Sequence, residues 1–341
     1  MPKVGLYLGK FTVFHSGHQM VLDTALKEMG SVIVLVYDAP ASTKIPLDVR
    51  ADWIRKIYAG KPVEVIEGWA GPEDIGYSDE VKRLQNDYIL SMTGNKGVTH
   101  FYSSEPYGEH VSCALGCVNR TVDIPRNKVP VSASGIQMNP YAHREYIHPT
   151  VYSALITNVV FVGAPSTGKT TLAKTLAAEY KTEWMPEYGR EYWDEHQLNR
   201  RLEPCQLIEI AEGHINRENA KLIKADRYLF TDTNAVTTYM FALDYHGSAE
   251  ARLVKLADEA LGRYDLVFLC GDEMPYDDTW DRSGDVERHR FQRRIESDLL
   301  RRKIPYISLK GALNDRVKHV RQVLSKFDKW QSIGNLISIG D

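Results

Sequence analysis

The hydrophobic positions alternate between continuous apolar runs of strand length and apolar residues at helical spacing. In the first half, the strand-like stretches occupy residues 4–8, 32–37, 63–66 and 99–103. Three stretches between them carry apolar residues at helical spacing: Val21, Leu22, Ala25 and Leu26; Val49, Trp53, Ile54 and Ile57; Val81, Leu84, Tyr88 and Met92. Because strands that alternate with helices form parallel sheets covered on both faces, this pattern predicts an α/β fold.

The second half repeats the alternation after a stretch punctuated by prolines. Strand-like stretches lie at residues 159–162, 227–233, 266–270 and 304–309, and helical stripes separate them. Pro130, Pro140 and Pro149 interrupt the sequence before the first of these runs, which places a domain boundary within residues 145–157. The 341 residues suggest about two domains. We therefore predict one domain over 1–150, a second over 151–330, and a tail over 331–341.

Composition narrows the class of protein. The net charge of -3 argues against nucleic-acid binding by bulk electrostatics. There is neither a run of 18 apolar residues nor a signal-peptide pattern, so we expect no membrane insertion and a cytoplasmic location. The four cysteines are too scattered for a disulfide framework. His110, Cys113 and Cys117 resemble half a zinc site, but small buried thiols are the favoured interpretation.

The clearest chemical motif spans residues 163–170 and reads G-x-x-x-x-G-K-T. It follows an apolar run and precedes a helical stripe, which is the context of a phosphate-binding loop. Loop amides and the helix N-terminus bind anions, Lys169 reaches the β- and γ-phosphates of ATP, and Thr170 ligates Mg²⁺. The predicted phosphate-binding residues are Gly163, Ser166, Thr167, Gly168, Lys169, Thr170 and Thr171.

Two further stretches fit a phosphate-loop enzyme. Asp232 ends an apolar run and is predicted to be the second Mg²⁺ anchor, with helix N-capping before Asn234 as its alternative or additional role. Arginines among turn-forming residues over 277–290 suggest a mobile lid. Arg282, Arg288 or Arg290 would close over ATP phosphates, although each could also be a solvated surface residue.

A second candidate loop follows the first strand. It contains Gly9, Lys10 and Phe11, and then His15-Ser-Gly-His18 at the predicted start of a helix. Gly17 lets the backbone approach a ligand, and both imidazoles can donate hydrogen bonds to phosphate oxygens. The alternative is that His15 and His18 are ordinary surface or cap residues.

The pattern Gly9-x-Phe11-x-x-x-His15-x-Gly17-His18 resembles the nucleotidyltransferase signature G-x-F-x-P-x-H-x-G-H, with Val13 in place of proline. The second signature of that superfamily, I-S-x-T-x-x-R, is best matched by residues 131–137. This match makes Ser132 and Ser134 candidate phosphate ligands, but Gln137 stands where the family arginine holds ATP. Arg120, Arg126 or Arg144 could compensate.

The segment Glu187-Tyr-Gly-Arg-Glu-Tyr192 follows the phosphate-loop helix. The order of the three features, first the nucleotidyltransferase loop, then the phosphate loop and then this segment, resembles that of the NadR family. The resemblance covers nearly all of residues 3–328. Residues 103–108 also look like the first domain of that family. Many relatives carry an N-terminal helix-turn-helix domain. Since this chain begins at the first strand, we expect it to lack that domain and not to bind an operator.

The resemblance implies a Rossmann-like adenylyltransferase domain followed by a phosphate-loop kinase domain. It implies that ATP phosphorylates nicotinamide riboside in the second domain, and that ATP adenylylates the resulting mononucleotide (NMN) in the first, giving NAD. Lys169, Thr170, Asp232 and Mg²⁺ would hold the triphosphate. Glu187 would be the catalytic carboxylate, and Tyr188 and Arg190 would contact the substrate. His15, His18 and residues 9–11 would position the groups for adenylyl transfer.

Other interpretations remain open. Trp69, in a glycine-rich context, could stack on the nicotinamide ring or simply pack. Gln137 gives weight to a first domain that senses nucleotides without turnover. The chain could also be a different fusion, such as a pantetheine-phosphate adenylyltransferase joined to a coenzyme kinase. Residues 187–192 argue against that alternative. Homo-oligomerisation is also left open.

Overall fold

A computed structural model describes residues 3–72, 78–94, 96–104, 108–124, 127–196, 202–274 and 285–331. The chain divides into two compact units. Among the described residues, the first unit comprises those up to Tyr152 together with Trp330 and Gln331, and the second comprises Ser153–Lys329. Most of the predicted tail, and part of the predicted lid, lie outside the described residues. Within the described part of the chain, no helix is long and apolar enough to cross a membrane.

The first unit is a five-stranded parallel sheet with helices between its strands. The sheet order is β3-β2-β1-β4-β5, so β1 is central, and every neighbouring pair of strands is parallel. The strands are β1 (Val4–Gly9), β2 (Ser31–Tyr37), β3 (Val63–Gly68), β4 (Val98–Ser103) and β5 (Val118–Thr121). The helices are α1 (Ser16–Glu28), α2 (Leu47–Ile57), α3 (Asp79–Thr93), α4 (Gly108–Leu115) and α5 (Ala133–Met138), with a 3-10 helix at Arg144–Tyr146. A further helix, α6 (Pro149–Leu155), begins in this unit and ends in the second.

The second unit is also a five-stranded parallel sheet, with β6 at its centre. The order is β10-β9-β6-β8-β7. Its strands are β6 (Thr157–Val162), β7 (Trp184–Met185), β8 (Tyr228–Asp232), β9 (Leu266–Cys270) and β10 (Ile307–Leu309). Its helices are α7 (Lys169–Tyr180), α8 (Tyr188–His196), α9 (Pro204–Leu222), α10 (Ala235–His246), α11 (Ala251–Glu259), α12 (Asp285–Arg301) and α13 (Leu313–Lys326), with a 3-10 helix at Ala260–Gly262.

The central strands of each sheet are buried on both faces, which explains their apolar sequences. All residues of β6 and β8 are buried. Helical stripes supply the covering layers, as Phe291, Ile295 and Leu299 do on α12. The predicted α/β class with two parallel-sheet domains is confirmed.

Two expectations about burial are wrong. On α3, Leu84 is 50% exposed, while Ile89 and Thr93 are the buried residues, so the packed face is rotated from the predicted stripe. Cys113 is exposed and Cys117 only half-buried, so neither is a small buried thiol. The apolar spacing identified α3 correctly but placed its buried face inaccurately, because tertiary contacts decide the rotation of an amphipathic helix.

Candidate functional sites

The loop between β6 and α7 has backbone angles that its glycines permit. Gly163 has φ of 145°, and a Cβ there would lie 2.8 Å from the carbonyl oxygen of Cys270. Gly168 caps α7 with φ of 78°, and Ser166 has φ of 60°. Such angles are strained for residues with a Cβ. The loop therefore turns tightly from the central strand into a helix N-terminus, which is the geometry of an anion cradle.

Side chains within this loop converge on the carbonyl oxygen of Ala164. Nζ of Lys169 donates to it at 2.9 Å, and the hydroxyl of Thr167 donates at 2.8 Å. Lys169 is itself buried. The ammonium group is thus held at the loop, within reach of any anion that the backbone amides bind.

The start of α7 also meets the end of β8. The Thr170 hydroxyl donates a hydrogen bond to Oδ2 of Asp232, and the Thr233 hydroxyl donates to Oδ1 at 3.1 Å. Asp232 is fully buried. A hydroxyl paired with a buried carboxylate beside a phosphate loop is a donor set that suits a hard divalent cation such as Mg²⁺.

Asp232 is not the cap of α10. The N-cap is Asn234, whose Oδ1 accepts hydrogen bonds from the amides of Val236 at 3.1 Å and Thr237 at 3.4 Å. The capping alternative for Asp232 is therefore wrong. An asparagine satisfies the helix amides without adding charge, which leaves the Asp232 carboxylate to Thr170 and Thr233.

A cavity of about 860 Å³ opens beside the phosphate loop. The predicted residues that line it are Gly163, Ser166, Thr167, Gly168, Lys169, Thr170, Thr171, Glu187, Arg190 and Arg288. Trp193, Phe241 and Tyr245 add aromatic surface to the wall. The cavity thus joins a triphosphate-sized anion site to a partly aromatic pocket.

Two of the predicted contact residues in this unit have other surroundings or are not described. Tyr188 does not line the cavity: the guanidinium of Arg217 lies 3.9 Å from the centre of its ring, and its ring packs so closely on Gly213 that a Cβ there would lie 2.4 Å away. The prediction that Tyr188 contacts substrate is therefore not supported by its position. Arg282 lies outside the described residues. Arg288 is buried and donates to the Met274 carbonyl oxygen at 3.0 Å.

Two buried side chains from distant helices support the phosphate loop. Gln292 of α12 accepts from the Ala164 amide at 2.7 Å and donates to the Cys270 carbonyl at 3.0 Å. Arg316 of α13 donates to the Thr167 carbonyl at 2.7 Å and pairs with Glu273, also at 2.7 Å. The bonds to the Ala164 amide and the Thr167 carbonyl fix the path of the loop, because they engage its backbone directly.

The first unit carries its candidate loop at the carboxyl end of β1. His15 is the N-cap of α1: its Nδ1 accepts from the Gly17 amide at 3.1 Å, and Nδ1 of His18 accepts from the His15 amide at 3.3 Å. The two rings stack 3.8 Å apart. These hydrogen bonds assign the ring proton to Nε2 in each neutral imidazole, so capping and donation to a phosphate are compatible roles.

Gly17 and Phe11 shape this loop. A Cβ on Gly17 would lie 2.8 Å from Cε1 of His15, so only glycine fits between the histidines without a shift. Phe11 has φ of 44° and contacts Tyr7, Phe14 and His18 edge-on. A Cβ on Gly9 would lie 3.1 Å from the Phe11 ring, which explains the small residue there.

The second signature segment reaches the same loop through Ser42. Lys10 Nζ donates to the Ser42 hydroxyl at 3.0 Å, and the Gln137 amide donates to the Ser42 carbonyl at 3.4 Å. Ser132 caps α5, and its hydroxyl lies 3.2 Å from that of Ser134. The structure therefore brings Gln137 near Lys10, although they are distant in the sequence.

The arginines proposed to compensate for Gln137 have other partners. Arg120 pairs with Glu28 at 2.9 Å, and the Arg144 guanidinium lies 4.2 Å from the centre of the Tyr141 ring. Arg126 lies outside the described residues. Instead, the buried Arg50 donates to the carbonyl oxygens of Lys10, of Tyr37 at 2.8 Å and of Ile45 at 3.0 Å. Burial lowers the pKa of Arg50, an effect opposed by Asp38. Through its hydrogen bonds to Lys10 and Tyr37, the Arg50 side chain ties the ends of β1 and β2 together.

Trp69 follows β3 at the same edge of the sheet. It is 54% exposed, and its indole N–H donates to Glu67 at 3.0 Å. The Tyr88 hydroxyl donates to its carbonyl oxygen at 2.9 Å. A side chain so exposed has no core to fill, so the packing alternative is disfavoured.

The chain is similar to known proteins both within the second unit and along most of its length. Residues 158–316 match a family described as an AAA domain. The "Trifunctional NAD biosynthesis/regulator protein NadR" of Salmonella typhimurium (strain LT2) is 27% identical over 333 residues, covering 91% of this chain and 79% of that protein. The protein of the same name from Escherichia coli (strain K12) is 26% identical over 328 residues, covering 89% and 78%.

The chain is thus similar to NadR proteins over about nine tenths of its length. Two solved NadR structures share its fold. One, in complex with NR, covers 95% of this chain and 96% of its own, with a TM-score of 0.55 and 21% identity. The other, in complex with NAD and AMP-PNP, covers 97% and 99%, with a TM-score of 0.55 and 20% identity. At these identities the likeness shows the fold alone.

The sequence motifs predicted both loops but not the residues that hold their backbone in place. Arg50, Gln292 and Arg316 are all buried polar residues on predicted helices. A signal for them existed, because each falls on or next to an apolar stripe: Arg316 directly precedes Val317, and Gln292 follows Phe291. A polar residue on the core face of a helix needs a buried partner, and here those partners are loop carbonyls and amides.

Proposed function

We propose that the chain is a two-step enzyme of NAD synthesis, with a riboside kinase in the second unit and an adenylyltransferase in the first. The observation that carries this proposal is the presence of two candidate phosphate-binding loops, each at the carboxyl end of the central strand of its own parallel sheet. The chain that contains both loops is similar to NadR proteins along nearly its full length. Ligands bind at that edge in parallel α/β sheets.

In the kinase step, the 5′-hydroxyl oxygen of nicotinamide riboside bonds to the γ-phosphorus of ATP. The bond from that phosphorus to the β–γ bridging oxygen breaks, ADP leaves, and the hydroxyl proton is released. Glu187, on the cavity wall, is the candidate to orient the hydroxyl and take its proton. Arg190 and Arg288 line the same cavity and offset charge on the transferred phosphoryl group.

Thr170 and Asp232 would hold the divalent cation that phosphoryl transfer requires. When bound, the cation supplies charge neutralisation at the β- and γ-phosphates. Lys169 and the amides of the loop grip the same phosphates, so positioning falls to residues of α7 and the loop before it.

In the adenylyl step, a phosphate oxygen of NMN bonds to the α-phosphorus of a second ATP. The bond from that phosphorus to the α–β bridging oxygen breaks, pyrophosphate leaves, and NAD forms. The attacking phosphate is already anionic, so the first unit needs to position charges rather than remove a proton. His15 and His18 present Nε2–H donors, and Lys10 is anchored through Ser42 nearby.

One assay tests both halves. The protein is incubated with nicotinamide riboside, ATP and Mg²⁺, and NMN and NAD are quantified separately by chromatography. Lys169→Ala should lower NMN formation about a hundredfold or more, while Lys174→Ala on the exposed face of α7 should not. His18→Ala should lower NAD formation from supplied NMN without changing NMN formation. Full riboside phosphorylation by Lys169→Ala would overturn the kinase assignment.

Gln137 supports a second candidate for the first unit, a nucleotide sensor without turnover. Its side chain offers an amide where the family arginine would offer a cation, and it contacts Ser42 beside Lys10. Stabilisation of the protein by NMN and ATP without NAD formation would favour the sensor. In that case Gln137→Arg should restore turnover. Activity on pantetheine phosphate in the same assay would instead favour a coenzyme A fusion.

A further inference from the structure

Among the described residues, His214 and Thr237 are buried on the wall of the second-unit cavity, and each has one side-chain atom without a hydrogen-bond partner. His214 of α9 is 5% exposed, and within the described part of the chain its Nε2 has no hydrogen-bond partner. Thr237 of α10 is 3% exposed, and among the described residues its Oγ1 likewise has none. Both residues line the cavity that contains the phosphate loop and Glu187.

His214 is a polar residue on the core face of its helix. The core face of α9 includes Leu207, Ala211 and Leu222, and His214 lies in the same stripe. The other buried polar residue of that stripe, Glu218, is fully paired: it accepts from Arg263 at 2.9 Å and Tyr264 at 3.1 Å, and also from Asn158. His214 has no comparable set of partners for Nε2.

Both side chains lie close to the candidate cation site. His214 lines the same cavity as Thr233, the residue that directly follows Asp232 at the end of β8. Thr237 is in the first turn of α10, directly after the Asn234 cap. These positions put both residues near the carboxyl end of β8, where an acceptor hydroxyl must approach the transferred phosphoryl group.

A buried donor or acceptor without a partner destabilises the protein, so such groups mark places where a ligand or a water completes the site. The chemistry of the pair suits a sugar. A neutral imidazole and a hydroxyl can each donate or accept, as can the hydroxyl groups of ribose. The aromatic residues Trp193, Phe241 and Tyr245, which also line the cavity, are better suited to a flat base.

We propose that His214 and Thr237 bind the ribose hydroxyl groups of the acceptor and set the specificity of the second unit for a riboside. This inference rests on the proposed riboside kinase function. It makes His214 and Thr237 positioning residues, distinct from Glu187 as candidate base and from Lys169, Thr170 and Asp232 as phosphate and cation residues. Each polar atom becomes satisfied only when an acceptor is bound, so the site rejects analogues that lack the hydroxyl.

The test combines protein variants with substrate analogues. Riboside phosphorylation is measured for the wild type, His214→Phe and Thr237→Val, each with nicotinamide riboside and with its 2′-deoxy and 3′-deoxy analogues. We expect each variant to lower kcat/KM for the riboside about tenfold or more while the KM for ATP is unchanged. For the wild type, kcat/KM should be much lower with at least one deoxy analogue than with the riboside. In one of the variants, this difference in kcat/KM should be much smaller.

Controls separate binding from folding. His214→Gln keeps a polar group near the position of Nε2 and should recover part of the loss. Thr182→Val removes a hydroxyl that already has a partner, the Tyr228 carbonyl at 2.6 Å, so it should leave the riboside parameters unchanged. Melting temperatures of all variants are recorded. If His214→Phe does not fold, Thr237→Val and His214→Gln still decide the question.

The outcomes distinguish the two proposals. A wild type that turns over riboside, with variants of unchanged kcat/KM and unchanged discrimination against deoxy analogues, would overturn this inference alone and leave water as the partner of the pair. A wild type that does not phosphorylate the riboside would overturn the proposed function, and this inference with it.

Discussion

The Thr170 hydroxyl donates a hydrogen bond to the buried carboxylate of Asp232, so the first turn of α7 is joined to the last residue of β8. Those two positions are 62 residues apart in the chain. Neighbouring parallel strands bring them together, because β6 and β8 are paired and their carboxyl ends share one edge. The pair supplies a hydroxyl and a carboxylate to the same small volume.

Asp232→Asn should therefore abolish most riboside phosphorylation. The amide keeps the size of the carboxylate but removes the charge that a divalent cation requires, so kcat should fall about a hundredfold or more. Chromatographic detection of NMN measures the loss. Asp194→Asn, an exposed carboxylate on α8, is the matched control and should behave as wild type. NAD formation from supplied NMN should persist in both, and an active Asp232→Asn kinase would contradict the assignment.

The sequence predicted this pair because each residue belongs to a local motif. The glycine loop is recognised by the spacing of its residues, and an aspartate after an apolar strand indicates a second Mg²⁺ anchor. The parallel topology followed from the alternation of strands and helices. What the sequence could not place was Asn234 as the cap of α10, because capping by either residue is compatible with the same local sequence.

The sequence could not predict the supporting contacts between distant elements, for a different reason. Arg316 meets the Thr167 carbonyl across 149 residues, and Gln292 meets the Ala164 amide across 128. No local pattern records which loop a buried arginine on α13 will face. Likewise, the Lys10–Ser42–Gln137 connection depends on how α5 packs against the loop after β2, which apolar periodicity does not specify.

Arg316 provides a stability test of this support. Its guanidinium donates to the Thr167, Gly271 and Gly311 carbonyls and to Glu273. Arg316→Met would leave these acceptors without their donor, so the free energy of unfolding of the second unit should fall by about 3–5 kcal/mol.

Chemical denaturation followed by tryptophan fluorescence measures this change. The matched control is Arg321→Met on the same helix. Arg321 is 52% exposed and pairs with Glu179, so its removal should cost at most about 1 kcal/mol. Equal losses in the two variants would show that Arg316 contributes no more than a surface ion pair.

Trp69 gives a prediction for the first unit. If its exposed indole stacks on the nicotinamide ring, Trp69→Ala should raise the KM for NMN about fivefold to a hundredfold, the range expected for loss of one aromatic stack. The melting temperature should change little, because the side chain fills no core. Leu84→Ala, a similarly exposed apolar residue in this unit, should leave the KM unchanged. An unchanged KM in Trp69→Ala would remove the residue from the site.

His214 predicts how stability depends on pH. Burial lowers its pKa from the usual 6.5, while Glu218 on its own helix and Asp232 on β8 oppose that shift and Arg263 reinforces it. Below pH 6.5 the unfolded chain therefore binds a proton at this position that the folded chain does not. The stability that neutral His214 contributes is present above that pH and is lost as the pH falls toward the lowered pKa, by up to about 1.4 kcal/mol per pH unit.

His214→Gln should remove this component, so the free energy of unfolding should fall less steeply between about pH 6.5 and 5 than it does in the wild type. Burial also lowers the pKa of His110 and His148 in the first unit, so part of the acid sensitivity remains in both proteins and cancels in the comparison. His319→Gln, at an exposed position of α13, controls for removal of an imidazole elsewhere. Parallel curves for wild type and His214→Gln would mean that His214 takes up its proton equally in the folded and unfolded chains, and that it is not held neutral at the cavity wall.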